Sequence, residues 1–159
     1  FIAWLAGPEG GPHLLSWLSA AESAIRFVSG GRRLWLRPDG AGKLRVGDET
    51  FPFLLEWGPG TERVAVLGAK LVRYGEYFRS SRASAEPAPV LLFVTTTPQR
   101  EDLVWRVAAP ALGPDAGRLL TTTGSLIERL TPRGCVWRRQ ADSPRQHWPS
   151  SPTHQNPKR

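Results

Sequence analysis

The stretch that decides the fold is Phe51-Pro-Phe-Leu-Leu-Glu-Trp-Gly-Pro-Gly60, followed by Thr61-Glu-Arg-Val-Ala-Val-Leu-Gly-Ala-Lys70 and Leu71-Val-Arg-Tyr-Gly-Glu-Tyr-Phe78. Its first five residues are almost continuously apolar, the pattern of a strand covered on both faces. That run ends on a carboxylate, Glu56, and Gly58-Pro-Gly60 then turns the chain. Val64, Leu67, Leu71, Tyr74 and Phe78 recur at three- and four-residue steps, which predicts a helix from Thr61 to about Ser80. Thr61 and Glu62 suit its first turn, where a hydroxyl can cap and an acid meets the positive end of the helix dipole. A buried strand that delivers a carboxylate to the mouth of a helix can build a reactive or ion-binding edge.

Working outward, Val90-Leu-Leu-Phe-Val-Thr95 is a second fully apolar strand, expected to run parallel to the first through a right-handed helical crossover. Upstream, Arg33-Leu-Trp-Leu-Arg37 alternates with period two. Leu34 and Leu36 then face the core, with Trp35, Arg37 and Asp39 on the more polar side. Pro38-Asp39-Gly40 ends that strand, and Lys43-Leu-Arg-Val46 is its expected hairpin partner. Leu14, Leu15, Trp17, Leu18, Ala21, Ile25 and Phe27 predict a short amphipathic helix stopped by Gly30-Gly31. Phe1 to Ala6 reads as the end of another helix, and Ser81 to Pro89 as a linker. Downstream, Glu101 to Ala109 predicts a helix closed by Pro110, and Leu119–Thr123 and Gly134–Trp137 read as weaker strands. From Gln140 the composition is polar and aperiodic, which predicts disorder. The expected architecture is α/β, a mixed sheet of about four to six strands with flanking helices around an α-β-β-β-α-β core. One domain would span residues 1–137, with a disordered basic tail over 138–159.

Composition narrows the function classes. The chain has 159 residues and one cysteine, Cys135, which excludes an internal disulfide framework and a multi-cysteine zinc site. That cysteine reads as a small buried apolar side chain, and cytoplasm is the expected compartment. The net charge of +7 favours polyanions, although +5 of it falls between Arg133 and Arg159. No apolar window is long enough to span a membrane, and no signal peptide opens the chain. The start on Phe1-Ile-Ala-Trp, without Met, suggests a piece of a longer protein. His13, His147 and His154 are too scattered for a histidine metal site or a nucleophilic triad, and the glycines lack phosphate-loop spacing.

Acids fall at two strand ends, Asp39 and Glu56. Side by side on one rim, two hard oxygen ligands would suit Mg²⁺, which keeps several waters and can bring one to a phosphodiester. Lys70 on the following helix could then steady the attacking water or the developing phosphate charge. Each residue also has a plainer reading. Arg37-Pro-Asp-Gly40 is a good turn sequence. Lys70, nine residues into the predicted helix, would stand ~13 Å along the axis from Thr61 and could instead snorkel from the helix–sheet seam or touch a phosphate. Thr95-Thr-Thr-Pro98 could bind an anion or simply cap a helix. Trp35 and Trp57 flank the acids and could stack on a base or pack in a core or interface. Arg133, Arg138, Arg139 and Arg145 could contact phosphates or belong to a solvated tail.

Arg37-Pro-Asp-Gly40, Phe53-Leu-Leu-Glu-Trp57 with Gly60-Thr-Glu62, Lys70-Leu-Val-Arg-Tyr74 with Tyr77, and Val90 to Thr95 together resemble the replication-relaxation family. Its motif runs Arg-Pro-Asp-Gly, then Glu-x-Asp-Arg-Gly-Thr, then Lys-Leu-x-x-Tyr. The likeness covers about residues 14–137. It implies a restriction-endonuclease-like fold and a bacterial plasmid or mobile-element context, with DNA and replication or mobilisation proteins as partners. Members often carry a winged-helix DNA-binding domain ahead of this region. Carried onto this sequence, the resemblance implies Asp39 and Glu56 as Mg²⁺ ligands with Lys70 as the third catalytic group, and Arg37, Thr61, Arg73 and Tyr77 at the nucleic acid. The family's Asp-Arg after the glutamate is replaced here by Gly58-Pro59, and Ala20 stands where a glutamate usually follows the first tryptophan. The acids that remain could therefore serve an active endonuclease or nickase, or be relics in a DNA- or partner-binding module. A structural domain of a phage or plasmid assembly is the third reading.

Overall fold

The computed structural model describes residues 12–58, 60–80 and 87–149. The helix end expected at Phe1–Ala6, most of the linker after Ser80 and the last ten residues lie outside the described residues. A five-stranded mixed sheet organises the chain in the order β1-β4-β5-β6-β7. At its centre lies β5 (Glu49–Trp57), the apolar run that ends on Glu56. It pairs in parallel with β6 (Val90–Thr95), with Leu54 beside Leu91 and Glu56 beside Phe93. The crossover between them is helix α1 (Val64–Phe78). Helix α2 (Pro98–Leu112) and a 3-10 turn (Gly113–Arg118) lead to β7 (Leu119–Thr123), which extends the parallel half. Antiparallel β4 (Gly40–Val46) and β1 (His13–Ser19) complete the other half. Helix α3 (Gly124–Leu130) follows β7 directly.

Successive side chains of the central strands point to opposite faces, so the sheet has two cores. On one face Leu54, Leu91, Phe93 and Leu119 pack under α1 and α2, against Leu67, Leu71, Tyr74, Val104 and Trp105. On the other, Phe53, Leu55, Leu92, Val94 and Leu120 are covered by Ile127 of α3 and by Val136, Trp137 and Trp148. Glu56 follows Leu54 at the strand period and therefore faces α1.

The expected helix over Leu14–Phe27 is instead two strands, β1 and β2 (Ile25–Ser29), joined by a turn that Glu22 closes on Ser19. The reason is a bulge. The register of β1 on β4 shifts between Leu14 and Ser16, so Leu14 and Trp17, three residues apart, both pack on the same core. A bulged strand thus imitates helical spacing. Trp17 lies over β4 because that strand carries glycine there: a Cβ on Gly40 would stand 2.0 Å from the indole.

The alternating segment near Arg33 is a strand, β3 (Arg32–Leu36), but its partner is β2 rather than Lys43–Val46. Gly30 and Gly31, both at positive φ, form the tight hairpin turn that links them. This ribbon lays Phe27 and Leu36, with Ile25 and Leu34 beside them, onto the α1 side of the core.

Further expectations change. Pro110 lies inside α2 rather than ending it, and Thr97 caps that helix by accepting from the Arg100 amide at 3.2 Å. Gly134–Trp137 forms no strand among the described residues; Trp137 bridges Gln146, and the next residue, Arg138, bridges Thr121. Within residues 138–149 the structure shows defined contacts. Arg145 grips fully buried Glu101 at 2.7 Å, Thr121 donates to the same carboxylate at 2.6 Å, and Trp148 stands edge-on to Phe53 and Trp137. Polar composition concealed an arginine clamp and an aromatic anchor. Cys135 is exposed rather than buried, its Sγ 2.9 Å from the Arg145 carbonyl oxygen.

Candidate acid–lysine–tyrosine site

Glu56 is the centre of the site. It is a carboxylate at 1% exposure at the end of the central strand. An acid so placed must find donors or take up a proton. It finds two, both from α1. Tyr74 donates its hydroxyl to Oε1 at 2.6 Å, and Lys70 donates to Oε2 at 2.9 Å. Lys70 and Tyr74 are four residues apart and so share a helix face. Lys70 also reaches Glu62 Oε1 at 3.3 Å, so one ammonium bridges two carboxylates. Lys70 reaches the strand end because of where the helix starts. It begins at Val64, not Thr61, which brings Lys70 closer to the strand end.

Asp39 joins from the neighbouring strand. Gly40 pairs with Leu55, so one further step of the antiparallel ladder sets Asp39 across from Glu56. Its Oδ2 accepts the Trp57 amide at 2.7 Å, which ties the two strand ends together. Ser23 holds the same corner by donating to the Pro38 carbonyl at 2.8 Å. The two acids that the sequence places at strand ends therefore meet on one rim. Below them Gly60, at φ +82°, admits Thr96, whose Oγ1 would lie 2.3 Å from an added Cβ. Arg100 of α2 donates to the Glu62 carbonyl and pins the segment that leads into α1.

The electrostatics follow from burial. Desolvation raises the Glu56 carboxyl above the ordinary range, against the lowering effects of Lys70 and Tyr74, and the charge of Asp39 adds a small push in the same direction. For Lys70, burial acts to lower the ammonium, but Glu56 and Glu62 outweigh it and its pKa is raised. Burial, then the charge of Glu56, drives the Tyr74 phenol well above its usual value, so it stays a hydrogen-bond donor.

The donor set for Mg²⁺ is thin. Mg²⁺ demands octahedral oxygen ligation and is commonly held by one or two carboxylates with water and substrate phosphates. Here each oxygen of Glu56 already accepts a donor, and the Lys70 ammonium occupies the position in front of Oε2. One Asp39 oxygen is engaged by the backbone. Gly58 stands where the motif has its further acid, and among the described residues no three His, Cys, Asp or Glu side chains gather as a metal site. The residues present do not fit a divalent ion while Lys70 holds Glu56.

The residues expected at the nucleic acid differ in exposure. Arg37 and Thr61 are exposed. Arg73 is partly exposed and paired with Glu76 at 3.3 Å. Tyr77 is 6% exposed and packs edge-on to Phe27, 5.5 Å between centroids. Sequence reasoning treated Tyr74 as a core residue and overlooked its hydroxyl. The signal was its four-residue spacing from Lys70.

No helix among the described residues is long and apolar enough to cross a membrane. No curated protein and no solved structure matches the chain. The replication-relaxation family model does match, over residues 5–90, a span that holds Asp39, Glu56, Gly58, Lys70 and Tyr74. That span is just over half of the sequence, and the chain belongs to the replication-relaxation family.

Proposed function

We propose that this chain is a DNA-associated replication protein of a plasmid or mobile element, in which a nuclease-like site survives as a structural ion pair without hydrolytic activity. Family membership supports the replication context. The observation that carries the loss of catalysis is Glu56, sealed between Lys70 and Tyr74. A carboxylate neutralised by a resident ammonium has little call for a metal ion. Gly58, in place of the motif's acid, removes the ligand that could have competed with that ammonium.

The test is incubation of supercoiled plasmid with the protein and Mg²⁺, alongside a gel-retardation assay on the same DNA. Retention without nicking is the expected result. The matched variant is Gly58→Asp, which restores the motif's acid. An added Cβ at Gly58 would meet the Phe93 ring edge at 3.0 Å, a contact the ring can relieve by a small shift. Mg²⁺ should raise the melting temperature of Gly58→Asp and leave that of the parent unchanged. Nicking by the parent that Asp39→Ala abolishes would overturn this reading. It would favour the second one, an active Mg²⁺-dependent endonuclease, which the meeting of Asp39 and Glu56 on one rim supports.

A further inference from the structure

The β2–β3 ribbon has one face in the core and one in solvent. Arg26 pairs with Trp35 and Val28 with Arg33, and directly opposed residues of an antiparallel pair point the same way. All four are exposed, Trp35 at 50% and Val28 at 57%. Arg37, two residues beyond Trp35, continues the row and is also exposed. The opposite face, Phe27 and Leu36 with Ile25 and Leu34, packs into the core under α1, so the outward row sits on a rigid base. Ile25 to Pro38 contains four arginines and no acid. Arg32, on the inner row, reaches Glu76 at 3.3 Å, while the arginines of the outer row stand around an aromatic ring. The Arg26 guanidinium lies 5.6 Å from the centroid of Trp35. Beside it a hollow of about 370 Å³ is lined by Arg26, Phe27, Val28 and Arg33.

An exposed tryptophan costs solvation, and a cluster of guanidiniums repels itself; a soluble surface does not need the two combined. Together they match a polyanion that also presents flat apolar rings. We infer that the outer face of this ribbon is a single-stranded DNA site. Trp35 offers a stacking surface to a base, and Arg26, Arg33 and Arg37 take the flanking phosphates, the hollow between Arg26 and Arg33 receiving one of them. Single strands are favoured over duplex because only an unpaired base exposes its π-face to an indole. The ribbon is about 16 Å long at ~3.3 Å per residue, a platform along which a strand can run. This inference rests on the DNA-associated reading above.

The experiment measures binding of fluorescein-labelled oligothymidine and of a duplex of equal length to the full chain by anisotropy, across a salt series. Trp35→Ala should weaken single-strand binding roughly 5- to 150-fold, and Trp35→Phe should recover most of it. Replacing Arg26 and Arg33 together by alanine should reduce the slope of log affinity against log salt by about 1.4. Arg129→Ala, at an exposed position of α3, should change neither. All these side chains are exposed, so each variant should still fold, and loss of the Arg26–Trp35 contact should lower the urea midpoint only slightly. Failure of the parent to bind either oligonucleotide would sink the DNA-associated reading itself. Parental binding that the ribbon variants leave intact would overturn the ribbon site alone. An equal loss of duplex and single-strand binding in Trp35→Ala would overturn base stacking.

Discussion

Replacing Lys70 by methionine should expose how the fold tolerates Glu56. The methionine keeps an unbranched apolar stem and deletes the ammonium. Glu56, with 2% of its side chain exposed, would keep only the Tyr74 hydroxyl as a donor. Breaking a buried pair by removing one partner costs about 3–5 kcal/mol. The Lys70 side chain is 30% exposed, so water screens the pair and the cost should fall to about 2–3 kcal/mol. The sign of the pH dependence follows. Burial already raises Glu56, and losing the Lys70 charge raises it further. The folded variant then binds a proton under conditions where the unfolded chain does not, so its stability must fall as pH rises and recover as pH falls. In the parent, Lys70 contributes stability that is fully present below the ordinary lysine pKa and is lost as pH rises through its raised value. The gap between parent and variant should therefore be widest near neutral pH and close towards both extremes. Urea denaturation followed by tryptophan fluorescence, from about pH 8 down to about pH 5, measures it. Glu56→Gln in the Lys70→Met background should remove the pH dependence. A gap that stays constant on acidification, or a double variant as costly as the two single changes added, would refute the account.

Other outcomes follow from the same structure. Arg145→Ala strips the bidentate partner from fully buried Glu101 and should cost about 3 kcal/mol in urea, while Glu101→Met with Arg145→Met should recover much of it. Gly42→Ala brings a Cβ to 2.8 Å from the Ser16 carbonyl oxygen and 2.7 Å from the Phe53 ring, so it should prise β1 from the sheet edge. Hydrogen exchange would then show protection lost at Trp17 and Leu18 before the central strands. Tyr74→Phe keeps the ring in the core but removes the donor to Glu56 Oε1. It should destabilise by about 1.5–3 kcal/mol at neutral pH, read as a shift in the urea midpoint.

Much of the candidate site was legible because its residues carry local signals. Glu56 ends an apolar run, Asp39 sits in a turn sequence, and Lys70 and Tyr74 are one helical turn apart. Periodicity reports which face a side chain takes but not what stands opposite it, so the ammonium of Lys70 on the glutamate could not be read. The clamp of Arg145 on Glu101 was invisible for a related reason. Its partners are 44 residues apart, and nothing near Arg145 marks a buried arginine.

The chain alone determined the central architecture, because the β5–α1–β6 crossover is encoded in continuous apolar runs and an uninterrupted three-and-four repeat. Tertiary structure decided the rest. A bulge lets β1 carry helical spacing while lying flat on β4, and the Gly30-Gly31 turn sends β3 to β2 instead of β4. Strand partners are chosen by long-range pairing and burial, which the local pattern does not record. The same holds for the site. Sequence supplied the acids, and only the packing of α1 against the end of β5 determined that a lysine neutralises the buried one.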